Sequence, residues 1–264
     1  MLASTLALFA GTLIVSAQDI KNWKVIAPEN EEFSVLMPEI PKTATSDLAI
    51  YPQKDQPFTA KCAVYVLVKD GVLFSVQSFA TEKPQELVKE LFADKFNPPV
   101  KLPLDLRFNE KHLIDGKHLY IIRVAHRQTE DPRAALFFQS FTTKKKKVSK
   151  KSLLVVAAGS DAPATLPDNI FKTKEVTHKA VILARPAPSY TNEARKNGVV
   201  GTVVVRVLLS SNGRVEVVTP LAKLPDNLLE QAVNVAKLII FVPAEKDGKA
   251  VSQWVQVEYS FNLY

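Results

Sequence analysis

The sequence predicts an α+β protein in two domains. An N-terminal antiparallel sheet carries one or two helices, and a C-terminal module consists of a short helix, a β-hairpin, a second helix and a long final strand. Three observations predict it. Val203, Val205, Val207 and Leu209 alternate with Thr202, Val204, Arg206 and Leu208, the period of a half-buried strand, before Ser211-Asn212-Gly213 turns the chain back into Val215 and Val217. Pro84 to Phe96 sets Leu87, Val88, Leu91, Phe92 and Phe96 on one helical face behind a first-turn proline. From Val251 the chain alternates Val255, Val257, Tyr259, Phe261 and Leu263 against Gln256, Glu258, Ser260 and Asn262.

Taken in order, residues 1–17 are an apolar run ending in Val15-Ser16-Ala17, a small-x-small cleavage pattern before Gln18. The run is short of the roughly 20 apolar residues that span a bilayer. An export signal cleaved after Ala17 is expected, with an uncleaved inner-membrane anchor as the alternative. Residues 18–175 form the first domain. Trp23 to Pro28 and Phe33 to Pro38 read as short strands, and proline-bearing, polar Pro38 to Pro57 as an irregular loop. Thr59 to Val68 and Val72 to Phe79 make a hairpin on Asp70-Gly71. After the helix at Pro84, strands are expected near Leu104 to Phe108, His118 to His126, Ala134 to Phe141 and Ser152 to Ala158, with a short helix around Pro167 to Phe171.

Residues 176–189 read as a linker stiffened by Arg185-Pro186-Ala187-Pro188, and 190–264 as the C-terminal domain. Its hairpin register is expected to pair Leu209 with Val215 and Val207 with Val217, with Gly213 in the left-handed region, because that keeps one face apolar. Asp226 is placed to cap a helix bearing Leu228, Leu229, Ala232, Val233, Ala236 and Ile240 on one side, and Pro243 stops it.

Composition narrows the function classes. With 47% hydrophobic and 23% charged residues the chain can bury a core. A net charge of +7 without an aromatic-interleaved basic stripe gives no sign of a nucleic-acid partner. The single cysteine, Cys62, excludes an internal disulfide and a Cys-based zinc cluster, and its apolar surroundings predict burial. His112, His118, His126 and His178 show no ligand spacing, and no nucleophile elbow, phosphate loop or dinucleotide fingerprint is present. No metal, cofactor or catalytic function is expected. Lys144, Lys145, Lys146 and Lys147 offer contact with an anionic surface, or alternatively a solvated hairpin tip.

The order Pro188-x-Tyr190, Ala194-Arg195, Gly198 and Gly201, Val203-x-Val205, Asn212-Gly213-Arg214-Val215, Phe241, Pro243-Ala244 and Asp247-Gly248-Lys249 resembles the C-terminal domain of TonB-type energy transducers over residues 181–264. Thr191 and Leu238-Ile239-Ile240 depart from the family's usual residues. The resemblance implies a periplasm-facing protein that binds the N-terminal peptide of an outer-membrane transporter by strand addition and couples it to inner-membrane, proton-driven motor proteins. It implies Arg185, Pro188 and Tyr190 as partner-binding residues, with Gln253, Trp254, Gln256, Glu258, Ser260 and Asn262 along the final strand. Transducers of this type carry a long proline-rich spacer, which is short here. A soluble periplasmic binding or scaffold protein using the same module without transducing energy is the alternative. Phe33 to Pro38 and Phe137 to Phe141 resemble the PsbP-like fold, which brings no functional residues with it.

Overall fold

A computed structural model describes residues 22–52, 56–91, 102–127, 131–143 and 169–263. The segment Met1 to Ala17, the lysine run Lys144 to Lys147, the expected strand Ser152 to Ala158 and the far end of the first helix lie outside the described residues.

The N-terminal half is built on β3 (Lys42–Ile50), β4 (Phe58–Lys69), β5 (Val72–Ala80), β6 (Arg107–Asp115) and β7 (His118–His126), an antiparallel sheet in the order β3-β4-β5-β7-β6. Asp70 (φ 48°) and Gly71 (φ 72°) make the tight β4–β5 turn, both left-handed, as a two-residue hairpin loop requires. A ribbon of β1 (Lys24–Ile26) and β2 (Val35–Met37) lies with helix α2 (Pro132–Ser140) on the outer face of this sheet, and α1 (Pro84–Leu91) follows β5.

In the C-terminal half, β8 (Ile170–Phe171), β10 (Gly201–Leu209), β11 (Val215–Ala222), β13 (Ala244–Lys246) and β14 (Lys249–Phe261) share one sheet in the order β11-β10-β14-β13, with β8 parallel to β14. β9 (Val181–Ala184) pairs with β12 (Ile240–Val242) as a separate ribbon. The short α3 (Asn192–Lys196) and α4 (Leu228–Ala236) complete the α+β fold predicted from sequence. The match in class conceals several local corrections.

Lys42 to Ile50, expected as loop, is the edge strand β3: only Leu48 and Ile50 are buried, so polarity hid a strand that nine pairings with β4 stabilise. Ala134 to Phe141, expected as strand, is helical as far as Ser140, with Phe141 the extended residue that ends the helix. Asp131 caps it by accepting from the Arg133 amide at 3.0 Å, and Pro132 opens its first turn. β6 begins at Arg107 rather than Leu104, and Ile170–Phe171 is a strand rather than part of a helix. Asn227, not Asp226, holds the cap position of α4, and its side chain makes no cap bond. Both residues are left-handed (φ 63° and 57°). That helix ends at Ala236, and Ile240 belongs to β12. Leu209 does face Val215, but a bulge between Leu208 and Leu209 sets Val217 against Leu208 and Val218 against Val207.

The two halves share one interior. β5 is buried on both faces because each serves a different core. Leu73 and Phe79 join Leu48, Val64, Val66 and Ile121 in a cluster that runs on into Val205, Val207, Leu228, Ala232 and Leu238. Val72, Phe74 and Val76 join Ile26, Phe33, Tyr120 and Phe137 in the other. Helix α4 packs on β3 as well as on β10. Gly213 (φ 88°), at the β10–β11 tip, sits so close to the first sheet that a Cβ there would lie 2.9 Å from a Val66 methyl and 3.1 Å from Val68. Polar bonds fix the docking: Gln77 Nε2 donates to the Leu238 carbonyl at 3.1 Å. The Arg195 guanidinium donates to the carbonyls of Tyr51 at 2.7 Å and Pro52 at 3.2 Å. Cys62 is buried in this shared core, where loss of solvent pushes its thiol well above the usual range.

Candidate functional site

The final strand has two margins. Along one, β10 pairs with β14 without interruption from Gly201 opposite Phe261 to Leu209 opposite Gln253. Along the other, β13 takes Lys249 to Val251 and the short β8 takes Ser252 and Gln253. From Trp254 to Phe261 no strand pairs with this second margin among the described residues.

Two bonds tell which backbone groups face it. The Ser252 amide donates to the Asn169 carbonyl at 3.1 Å, and the Glu258 carbonyl accepts from Arg185 Nη1 at 3.1 Å. Backbone groups alternate sides along a strand, so Trp254, Gln256, Glu258 and Ser260 direct their N–H and C=O outward. Val257, Tyr259 and Phe261 are buried beneath, while the side chains of Gln256, Glu258 and Ser260 are exposed. Gln256 Nε2 donates to Glu258 Oε1 at 3.2 Å.

The other residues singled out from sequence fall around this margin in different ways. The Arg185 guanidinium lies across it, 5.4 Å from the centroid of the Tyr259 ring. The Tyr259 hydroxyl is buried without a hydrogen-bond partner, and burial pushes its phenol up. Pro188 is half-buried in the connector. Tyr190 staples that connector to the end of β14: its ring meets Phe261 edge-on at 5.6 Å and its hydroxyl donates to the Val199 carbonyl. Thr191 then caps α3, accepting from the Ala194 amide at 3.1 Å. Gln253 turns inward at 2% exposure, accepting from the Ala180 amide at 3.0 Å. Trp254 lies on the outer face under the Arg206 guanidinium, 4.3 Å from its ring centroid. Asn262 is exposed just past the strand.

Sequence reasoning missed β8, whose two residues close the margin at Ser252 and Gln253. The only signal was an Ile-Phe pair after Asp168-Asn169, too short for a period to show. The remaining margin of the module's sheet is differently built. β11 carries Pro220 and two register breaks, devices that discourage a further strand.

Among the described residues no three His, Cys, Asp or Glu side chains converge to hold a metal, and no helix is long and apolar enough to cross a membrane. The fold and this margin define an α+β module whose sheet presents main-chain donors and acceptors along half of its last strand. Residues 186–263 match the family described as the Gram-negative bacterial TonB protein C-terminal, so the chain carries a TonB-like C-terminal domain. Among curated proteins nothing matches the chain.

Proposed function

We propose that this is a cell-envelope protein that binds the N-terminal peptide of an outer-membrane transporter by strand addition along Trp254 to Phe261. The observation that carries the reading is the half-closed margin of β14: occupied by the chain's own β13 and β8 up to Gln253 and unpaired by strands beyond it. Strand addition recognises main chain, so it tolerates varied guest sequences. At about 3.3 Å per residue, the open stretch takes an extended guest about 26 Å long. Arg185 occupies the Glu258 carbonyl, so a guest amide displaces the guanidinium from that acceptor or docks beside it. Pro188 and Tyr190 hold the connector that aims Arg185, and Trp254, Gln256, Glu258, Ser260 and Asn262 flank the guest. Gln253 acts from inside by fixing the corner where β8 ends.

In this reading the chain faces the periplasm. If its N-terminus stays in the inner membrane it couples the guest to proton-driven motor proteins, and the Lys144–Lys147 run rests on an anionic surface. No catalysis is assigned. A second reading, a periplasmic scaffold that binds the peptide without transducing energy, is favoured by the shared interior, since the module is packed on the first sheet rather than tethered freely. Mass spectrometry of the mature N-terminus separates the two: cleavage after Ala17 leaves the scaffold.

The docking test is amide hydrogen exchange with synthetic transporter N-terminal peptides. Guest addition should slow exchange at Gln256, Glu258 and Ser260 and leave Val255, Val257 and Tyr259, already paired with β10, unchanged. Unaltered exchange at the first three under saturating peptide would overturn the proposal.

A further inference from the structure

The connector between β1 and β2, Pro28 to Glu31, overhangs one end of the outer face of the first sheet and leaves a cleft of about 450 Å³ beneath it. Asp47, Lys61, Ala63, Tyr65 and His118 line the opposite side. That volume falls in the range of small-molecule sites, roughly 300–1,000 Å³. Glu31 lies in its wall and is only 8% exposed. One carboxylate oxygen accepts from Ser78 Oγ at 2.5 Å and the other from the Tyr65 hydroxyl at 3.3 Å.

Those two hydroxyls are neutral. Among the described residues no Lys, Arg or His comes within ion-pair distance of Glu31. Asp131, a carboxylate buried to 7% exposure, shows the usual solution: Arg133 closes on it at 2.6 Å. A buried charge left without a countercharge is costly, and proteins supply one or neutralise the group. At Glu31 the place where a countercharge would stand is open cleft. Burial pushes its carboxyl up, against the opposing pull of the Ser78 and Tyr65 hydroxyls and the more distant His118.

We infer that this cleft binds a small organic ammonium compound, its cationic nitrogen docking on Glu31. Each carboxylate oxygen has lone pairs beyond the one it uses, and an ammonium has three donors to fill them. The Tyr65 ring and the methyls of Ala63 and Ala80 give the ligand's carbon chain an apolar wall. Asp47 and Glu29 extend the anionic lining, so a second ammonium at the far end is accommodated as well. Lys61 also lines the cleft, so the carboxylates there outnumber its lysine by three to one. The site is on the opposite side of the first sheet from the C-terminal module and is independent of strand addition there.

The test uses the full chain and 1,4-diaminobutane, with 1,4-butanediol as the uncharged probe of equal length. Titration calorimetry should give a dissociation constant below about 1 mM for the diamine and no heat for the diol. Amide shifts should gather at Asn30, Lys61 and Ala63. Glu31→Gln keeps the acceptor for Ser78 but removes the charge, and should weaken the diamine at least about tenfold. Ala63→Leu fills the cleft while keeping the Glu31 carboxylate and should abolish binding, which decides the matter if Glu31→Gln fails to fold. The inference falls if the diamine leaves those amides unmoved, if the diol binds equally well, or if the folded variants bind the diamine as the parent does.

Discussion

The two faces of the first sheet are closed in opposite ways. The inner face is aliphatic, with Leu48, Ile50, Val64, Val66, Leu119 and Ile121, and what covers it is the C-terminal module, far along the chain. The outer face is aromatic and is covered by its own neighbours. Phe33 meets Tyr65 at 5.3 Å and Tyr120 at 5.6 Å, and Phe74 meets Phe137 at 5.4 Å, all edge-on. The outer cover stops short at one end and leaves the Glu31 cleft. On the inner face, aliphatic packing and a few buried polar bonds join two halves into one body, while the small local cap outside leaves room for a ligand.

The sharpest way to break this comparison is Phe137→Ala. It empties the middle of the outer cap and should cost about 3–5 kcal/mol in chemical denaturation. A single transition is expected, because both faces share β4, β5 and β7; two transitions would show that the outer cap unfolds separately. Gly213→Val attacks the inner face. It forces a β-branched residue into left-handed backbone and against Val66, and a loss of about 2–4 kcal/mol is expected. Amide exchange should rise on β4 and β10 together, since the hairpin tip is what presses on the first sheet.

Gln77→Leu strands the Leu238 carbonyl in the interior and removes an acceptor from the buried Arg123, for an expected loss of about 1–3 kcal/mol. Arg195→Ala removes two partly buried bonds to Tyr51 and Pro52, with a smaller cost of about 1 kcal/mol in the same assay.

The mildest test uses pH. Burial pushes Glu110 up, but its bond to His112 and the charge and bond of Arg123 outweigh it, so its carboxyl sits below the ordinary 4.5. Its contribution is therefore complete above pH 4.5 and lost as pH falls through the lowered value. Glu31 has the opposite sign: its carboxyl sits above 4.5, so stability declines as pH rises from there through the raised value. In stability curves against pH, Glu110→Gln should flatten the acid limb and Glu31→Gln the limb above it.

What could be read from sequence follows from these same contrasts. β7 and the β4–β5 hairpin declared themselves through apolar runs and Asp70-Gly71, and the module through regular alternation. β3 was hidden because only two of its side chains enter the core. The Asp131-Pro132 start of α2 was legible but lost behind the aromatic run Phe137-Phe138, which reads as strand. The apolar stripe of α4 announced burial without saying against what, and the answer, β3, lies far upstream. At the candidate margin, the alternation of β14 foretold the exposure of Gln256, Glu258 and Ser260, but not that Gln253, expected beside them, turns into the interior. It could not foretell that Ile170 and Phe171 close its first part, because a two-residue parallel pairing leaves no period to detect.

The antiparallel ladder between β10 and β14 has a mechanical consequence. Tension drawn along β14 would act at right angles to its hydrogen bonds, so all nine facing residue pairs resist at once instead of peeling singly. The wedge of Gly213 against Val66 would then hand that load to the N-terminal half, making the whole body, and not one thread of it, the anchor.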